Sequence, residues 1–183
     1  ILLDEKVLRL SQETLGEKHP FTLTSLNNLA ANYSDTGRYA DAAPLLEKGL
    51  RLTEEILGEK HPDTLNSLNN LAGLYSELGR YADAEQMTKK ELRLKREVYG
   101  EKHNSTLTAL NNLAFLYNEQ GHYSEVEPLY KKGLRLRQEV LGERHPNTLD
   151  SLHHLALFYH SIGRYSDAEL LYEKVLQKSI EIL

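Results

Sequence analysis

The chain has 183 residues, of which 40% are hydrophobic and 27% are charged, and its formal net charge is −5. This negative charge excludes a general attraction to nucleic acid or to anionic lipid, so neither is expected as a partner. The absence of cysteine excludes disulfides, thiolate nucleophiles and cysteine-based zinc sites, and it is compatible with a reducing compartment. Because the sequence shows no apolar run near the length of a membrane span and no signal peptide, we expect a cytoplasmic protein without a membrane contact.

Particular residues return at an interval of 42 positions along the whole sequence. The recurring residues are His19, His61, His103 and His145; Gly37, Gly79, Gly121 and Gly163; and Tyr39, Tyr81, Tyr123 and Tyr165. A fixed period of this size predicts a stack of similar units, each of which contacts mainly its neighbours. Residues that recur in every unit are first of all residues that the stack needs. Function is therefore expected in the surface that the stack presents and in the positions where the units differ.

The pattern predicts one leading helix followed by four helix pairs. Residues 1–16 match residues 43–58, which predicts that they form the second helix (helix B) of a unit without its first helix (helix A). The pairs are predicted near residues 20–57, 62–99, 104–141 and 146–182. Because the sequence starts at Ile1 without methionine and ends within a helical pattern, we expect a piece of a longer array.

The second unit shows how each helix pair is encoded. Its helix A is predicted by apolar residues at helical spacing, namely Leu65, Leu68, Leu71, Ala72 and Tyr75. Pro62 suits the first turn, where a backbone N–H is not needed, and Gly79 ends the helix because glycine enters the left-handed conformation at little cost. Tyr81 opens helix B and Gly100 closes it. No stretch shows the two-residue alternation of a strand, so the predicted fold class is all-α.

Small residues recur where the two helices of a pair must cross closely. They are Ala30, Ala72, Ala114 and Ala156 on helix A, and Ala42, Ala84, Val126 and Ala168 on helix B. Tyrosines also recur at two positions, which are Tyr33, Tyr75, Tyr117 and Tyr159 on helix A, and Tyr39, Tyr81, Tyr123 and Tyr165 at the start of helix B. We predict that both sets are packed, because burial of a ring of this size contributes about 2–3 kcal/mol.

The run from Asn70 to Ala84, Asn-Leu-Ala-x-x-Tyr-x-x-x-Gly-x-Tyr-x-x-Ala, resembles the tetratricopeptide repeat (TPR) signature. The 42-residue period, with Leu-Gly-Glu-Lys-His-Pro-Asp-Thr-Leu before helix A, resembles the repeats of kinesin light chains and their bacterial light-chain-like relatives. The resemblance implies a right-handed superhelical TPR solenoid of antiparallel helix pairs, about nine helices in all, with the A helices along the concave wall. It implies a single array over residues 1–183, with a trailing B helix at 1–16 and repeats at 17–58, 59–100, 101–142 and 143–183.

By the same resemblance, the face of helix A opposite the core lines a groove, and in this chain that face carries mostly amides. The candidate peptide-binding residues are Asn27, Asn28, Asn66, Asn69, Asn70, Asn111, Asn112, Phe115, Asn118, His153, His154 and His160. Because an Asn amide both donates and accepts hydrogen bonds, a row of them is suited to hold the backbone of an extended peptide. In many TPR domains the second Asn of such a pair contacts a bound peptide. The resemblance implies this role for Asn28, Asn70 and Asn112, whereas the fourth repeat departs from the pattern with His154 at this position. The alternative is that one Asn of each pair bonds to the neighbouring helix and stabilises the stack, and both roles stay open.

The charges of the groove face predict the chemistry of the partner. The groove positions include no Lys or Arg, whereas Asp35, Glu77, Glu119 and Asp150 are acidic. Kinesin light chains are associated with cargo motifs in which acids flank an aromatic residue, and chaperone-binding TPR domains use a basic clamp for a carboxylate. We therefore expect a protein or peptide partner that is neutral or basic rather than acidic.

Two groups of side chains suggest other functions that the sequence does not favour. Histidines one repeat apart would lie about 10 Å from each other and cannot share a metal ion, whose ligands all lie within about 2.1 Å. His153, His154 and His160 include no i, i+4 pair, so polar groove residues are favoured over a metal site, and no metal or cofactor is predicted. The basic residues of helix B are expected to form a solvated face balanced by glutamates. They are Lys89, Lys90, Arg93, Lys95, Arg96, Lys131, Lys132, Arg135 and Arg137.

The favoured function is that of a non-enzymatic interaction scaffold that binds an extended peptide or partner segment in the concave groove. An enzyme is not expected, because the sequence has no nucleophile elbow, no phosphate-cradling glycine loop and no HExxH motif. The alternative is a self-assembling structural segment of a longer array, without a dedicated peptide ligand. Apolar residues of the first and last helices would drive such end-to-end association. They are Leu2, Leu3, Val7 and Leu10, and Leu171, Val175, Leu176 and Ile180.

Overall fold

The computed structural model of the protein describes residues 1–180, which contain nine α-helices and no strand. The helices are α1 (Leu2–Leu15), α2 (Pro20–Asp35), α3 (Tyr39–Leu57), α4 (Pro62–Glu77), α5 (Tyr81–Tyr99), α6 (Asn104–Glu119), α7 (Tyr123–Leu141), α8 (Pro146–Ser161) and α9 (Tyr165–Ile180). The predicted all-α fold class and helix pairs are confirmed. The division into repeats stays a prediction, and the predicted ends of the last pair and of the fourth repeat lie outside the described residues.

The helices form two compact units, with the boundary between Leu94 and Lys95 inside α5. In unit 1, α1 packs on α2, α2 on α3 and α3 on α4, and in unit 2, α6 packs on α7, α7 on α8 and α8 on α9. Within each unit, connections of three or four residues join successive helices. Such short connections make neighbouring helices antiparallel.

Each A helix begins with a histidine that caps it. The Nδ1 atom of His61 accepts a hydrogen bond from the backbone N–H of Asp63 over 3.2 Å. His19, His103 and His145 make the same bond at the starts of α2, α6 and α8. This bond satisfies one of the N–H groups that the first turn of a helix leaves without a partner. The recurring histidine therefore has a structural role in the loop that leads into helix A.

A glycine ends each A helix, as predicted. Gly79 has a φ of +69°, which is the left-handed region that favours glycine. The turn is fixed because the N–H of Arg80 donates to the carbonyl of Tyr75 over 2.8 Å. Because the turn is this tight, helix B runs antiparallel to helix A directly after it.

The predicted small residues lie where the helices cross. Ala30, Ala42, Ala84, Ala114, Val126 and Ala156 have no exposed surface, and Ala72 and Ala168 are nearly as buried. Three tyrosines of helix A, Tyr33, Tyr75 and Tyr159, are buried beside them, and Tyr117 is partly buried. The packing prediction is confirmed for this set.

The packing prediction is wrong for the tyrosines that open the B helices. Tyr81, Tyr123 and Tyr165 are 37%, 50% and 64% exposed, and Tyr39 is partly exposed. Each of them follows directly on the turn that ends helix A. Tyr123 and Tyr165 still contact the rings of Phe158 and His160, so they are partly packed and not buried.

The expectation of a solvated basic face on helix B is also wrong for two residues. Lys95 and Arg137 are 7% and 4% exposed and belong to the buried residues of unit 2. Lys90, Lys131, Lys132 and Arg135 do pair with glutamates, as expected. Thr53, Lys95 and Arg137 occupy the same position in three successive repeats, and Thr53 is also buried. The position on helix B therefore decides the burial of Lys95 and Arg137 in spite of their charge.

Candidate functional site

Two adjacent pockets in unit 1 lie along the exposed faces of α2 and α4. The first, of about 400 Å³, contains Asp35 and Glu77 and is called here the Asp35–Glu77 pocket. The second, of about 440 Å³, has the buried Thr53 at its base and is called the Thr53 pocket. Asn27 and Asn70 line both of them. The pockets therefore form one continuous groove segment across the two A helices.

The structure brings together the five candidate asparagines of unit 1. Asn69 lines the Asp35–Glu77 pocket, Asn28 and Asn66 line the Thr53 pocket, and Asn27 and Asn70 contribute to each. Sequence reasoning missed the part that α3 supplies. The residues from α3 are Tyr39 and Leu46 in the Asp35–Glu77 pocket, and Thr53, Ile56 and Leu57 in the Thr53 pocket. Their signal in the sequence was the apolar pattern of helix B, which does not separate core positions from positions at the base of a groove.

The two members of an Asn pair lie in different surroundings. Asn28 and Asn70 are exposed, whereas Asn27 is half-buried. The Oδ1 atom of Asn27 lies 3.2 Å from the place where a Cβ on Gly49 would be, so the missing side chain of Gly49 makes room for it. Within residues 1–180, the side chains of Asn27, Asn28, Asn66 and Asn70 have no hydrogen-bond partner. Their amides are consequently available to a ligand.

The charges around the two pockets are mostly negative. Asp35 and Glu77 are exposed and are the last residues of α2 and α4. Across the described part of the chain neither carboxylate has an ion-pair or hydrogen-bond partner. The Thr53 pocket contains Lys18, whose ammonium group is already paired with Glu55. The groove segment therefore offers two free carboxylates and no free cation among its described lining residues.

The matching asparagines of unit 2 are more enclosed. Asn111 is buried, and its Oδ1 atom lies 2.9 Å from the place where a Cβ on Gly133 would be. The Oδ1 atoms of Asn111 and Asn118 are both buried without a hydrogen-bond partner among residues 1–180. Asn112 is half-buried, and Phe115 is 55% exposed. These residues do not lie on the two pockets of unit 1.

The three candidate histidines of unit 2 each contact an aromatic ring. His154 stacks on Tyr130 with ring centroids 6.2 Å apart, and His153 lies 5.7 Å from the ring of Tyr172. His160 meets Tyr165 edge to face at 5.2 Å. Burial lowers the pKa of His154, and the neighbouring His153 lowers it further. All three histidines are nevertheless exposed, so each combines one ring contact with an open surface.

Arg137 is a polar residue of unit 2 that the sequence placed on the wrong surface. Its Nη1 atom donates to the hydroxyl of Ser151 over 2.6 Å, and its Nη2 atom donates to Thr108 over 3.4 Å. The Nε atom is buried and has no partner within the described residues. Burial lowers the pKa of Arg137, and the charge of Asp150 opposes that shift. The guanidinium thus links α7 to the two neighbouring A helices, α6 and α8.

Residues 1–180 contain neither a cluster of metal ligands nor a membrane-spanning helix. No group of three or more His, Cys, Asp or Glu side chains converges there as metal ligands do. No helix in that range is long and apolar enough to cross a membrane.

Antiparallel helix pairs, histidine-capped A helices and an amide-lined groove segment define an α-helical repeat protein that presents its A helices as a surface. The profile of the tetratricopeptide repeat family matches residues 3–55, 36–97, 63–139 and 127–179. The chain belongs to the tetratricopeptide repeat family. The comparison with curated proteins finds no match.

Solved structures of kinesin light chain-like TPR proteins are similar to this chain. Two crystal structures show the nearly identical TPR-like repeats of a Podosopora anserina protein described as a kinesin light chain. The first has a TM-score of 0.87 and 28% identity, covering 99% of this chain and 85% of that chain. The second has a TM-score of 0.85 and 28% identity, covering 99% and 86%. BtubC (BKLC) from P. vanneervenii shares the fold. Its structure has a TM-score of 0.80 and 21% identity, covering 99% of this chain and 72% of that chain.

Proposed function

We propose that this protein is a non-enzymatic scaffold that binds an extended peptide, or an extended segment of a partner protein, across α2 and α4. The observation that carries the proposal is the pair of adjacent pockets that share Asn27 and Asn70. A peptide that spans both pockets would place its backbone N–H and C=O groups beside four amides that bond to nothing else in the described chain, those of Asn27, Asn28, Asn66 and Asn70. Backbone recognition of this kind tolerates many peptide sequences.

The surroundings of Asn28 and Asn70 favour binding over a role in stacking. A residue that stabilises the helix stack would be buried or bonded to a neighbouring helix, but both side chains are exposed and have no partner within residues 1–180. Asparagine is also a weaker helix former than alanine. These positions therefore hold a residue type that the helix itself does not need.

The charge of the groove segment supports a neutral or basic partner. Asp35 and Glu77 contribute free carboxylates, and Lys18 is neutralised by Glu55. An acidic segment would meet like charges, which cost affinity at an interface. A cytoplasmic location, and a partner that is neither nucleic acid nor membrane, belong to the same proposal because the whole chain is negatively charged and lacks cysteine.

The proposal is tested with pools of capped heptapeptides of mixed sequence, whose binding is measured by affinity selection and then by calorimetry on the enriched peptides. Asn28→Ala and Asn70→Ala should each weaken binding while leaving the melting temperature unchanged or slightly higher. Gln86→Ala is the matched control, because Gln86 is an exposed amide of α5 that lines neither pocket. Unchanged affinity together with a large fall in melting temperature would leave only a structural role for these residues.

Self-association is a second candidate function, and the exposed residues of the first and last helices favour it. Leu2 and Leu3 of α1 are 82% and 72% exposed, and Leu176 and Ile180 of α9 are 63% and 62% exposed. Apolar side chains at this exposure promote contacts between molecules. Light scattering should show dimers or longer stacks at about millimolar protein, and the Leu2→Ser and Leu176→Ser variants should reduce them. A protein that stays monomeric at that concentration would remove this candidate.

A further inference from the structure

Asp35 and Glu77 stand at positions where a negative charge is unfavourable for the fold. Each is the last residue of its helix, α2 or α4, and neither helix has a basic residue in its last turn. The C-terminal end of a helix carries a partial negative charge, so a carboxylate there is repelled and a cation is attracted. Neither carboxylate has an ion-pair or hydrogen-bond partner among residues 1–180, so no direct contact offsets this repulsion. Two helix ends and two carboxylates thus direct a negative potential into one pocket.

The other walls of the Asp35–Glu77 pocket fit the remainder of a long cationic side chain. Leu46 and Leu74 are buried apolar residues at the wall of the pocket, and Ala31 and Gly73 add only small surfaces to it. These residues suit the methylene stem of Lys or Arg, which packs along apolar surface while its charged end stays near water. Tyr39 contributes a partly exposed ring, whose face attracts cations. The volume of about 400 Å³ leaves room for a side chain of this length.

A metal ion is a poorer fit to the same pocket. Calcium takes six to eight oxygen ligands and magnesium requires near-octahedral geometry. No group of three or more acidic or imidazole side chains converges anywhere in residues 1–180. An organic cation needs only the negative potential of the carboxylates and an apolar surface long enough for its methylene stem.

We propose that the Asp35–Glu77 pocket receives a Lys or Arg side chain of the peptide held in the groove, and so sets the sequence preference of the scaffold. This inference rests on the proposed peptide-binding function and adds the specificity pocket to it. Asn27 and Asn70, whose amides have no partner within residues 1–180, line the same pocket and are placed to hold the peptide backbone beside it. Leu46 and Leu74 take the stem, and Asp35 and Glu77 take the charged end.

The test compares two pools of capped heptapeptides that differ only at a fixed central residue, which is arginine in one pool and its uncharged isostere citrulline in the other. The arginine pool should bind about five-fold more tightly at low salt, as expected for two partly exposed ion pairs. The difference should shrink as salt is raised, because exposed charges are screened. Asp35→Asn combined with Glu77→Gln should abolish the preference, so that the arginine pool binds no more tightly than the citrulline pool.

Glu119→Gln is the matched control, because Glu119 is the last residue of α6 but lies in unit 2. This variant should keep the full preference for the arginine pool. Equal binding of the arginine and citrulline pools to the parent protein would overturn the pocket assignment while leaving the scaffold function in place. Loss of both pools in the folded double variant, as judged by circular dichroism, would also overturn it, because the pocket would then recognise shape and not charge. Failure of every pool to bind the parent protein would instead remove the proposed function itself.

Discussion

The hydroxyl of Tyr75 donates a hydrogen bond to a carboxylate oxygen of Glu47 over 2.8 Å and so joins α4 to α3. The guanidinium of Arg80 covers the same ring, with its central carbon 4.1 Å from the ring centroid. The same arrangement occurs in two other repeats. Tyr33 donates to Glu5 and is covered by Arg38. Tyr159 donates to Glu127 and is covered by Arg164. At these three positions the recurring tyrosine of helix A therefore joins successive helix pairs through a hydrogen bond as well as through packing.

The burial of Tyr75, together with this bond, should make the stability of the protein sensitive to alkaline pH. Burial raises the pKa of Tyr75 to about 12, and the hydrogen bond to Glu47 is the second cause. Tyrosine in the unfolded chain titrates near pH 10. Because the folded pKa is the higher one, the stabilisation is complete below about pH 10 and is lost as the pH rises through about 12. Thermal unfolding measured at increasing pH should show this loss, and Tyr75→Phe should make the fall shallower.

Two comparisons isolate the contribution of Tyr75. Burial also raises the pKa of Tyr130 to about 12, so part of the alkaline fall should remain in Tyr75→Phe. Tyr165→Phe changes a 64% exposed ring and should keep the pH dependence of the parent protein. If the Tyr75→Phe curve ran parallel to the parent curve between about pH 10 and 12, the assignment to Tyr75 would be wrong.

The histidine cap of α4 should be replaceable only by another capping residue. His61→Ala removes the acceptor for the backbone N–H of Asp63, and this should lower the free energy of unfolding by about 1 kcal/mol. His61→Asn supplies a side-chain oxygen at the same place and should restore most of the stability. Urea unfolding of the three proteins checks this prediction. Equal stability of the alanine and asparagine variants would show that the histidine recurs for another reason.

The sequence predicted the helix pairs because each signal that sets them is local. His61, Pro62 and Gly79 act on the backbone within one or two turns, and the apolar spacing of α4 marks its buried face. The groove was only partly predictable, because its asparagines come from one helix face but its base comes from α3. Whether a B-helix residue lines a pocket, as Thr53 does, or is buried between two A helices, as Arg137 is, depends on how three helices pack, which a linear pattern does not state.

Arg137 should contribute little net stability in spite of its hydrogen bonds. Arg137 is 4% exposed, its Nε atom has no partner within residues 1–180, and its guanidinium bonds to neutral hydroxyls. A buried charge with incomplete partners costs free energy, and an apolar residue of similar size often replaces it without loss. Arg137→Met should therefore be as stable as the parent protein or more stable in chemical unfolding.

The partner substitution should behave in the opposite way. Ser151→Ala leaves the buried guanidinium without its shorter hydrogen bond and should cost about 1–3 kcal/mol. In the Arg137→Met background the same change should cost much less, which a double-mutant cycle measures directly. A large loss in Arg137→Met alone would show that the guanidinium is a net stabiliser of unit 2.

The carboxylates of the groove segment should lower the stability of the protein, because Asp35 and Glu77 oppose the negative ends of α2 and α4. Asp35→Asn and Glu77→Gln should each raise the free energy of unfolding by about 0.3–1 kcal/mol at low salt, and the gain should fade as salt is added. Each change keeps the size of the side chain, so lost packing does not offset the gain. Residues retained at a cost to the fold are expected where a ligand supplies the missing charge. A fall in stability on either substitution would show that the carboxylates support the fold, and the electrostatic argument for a cation pocket would then lose its basis.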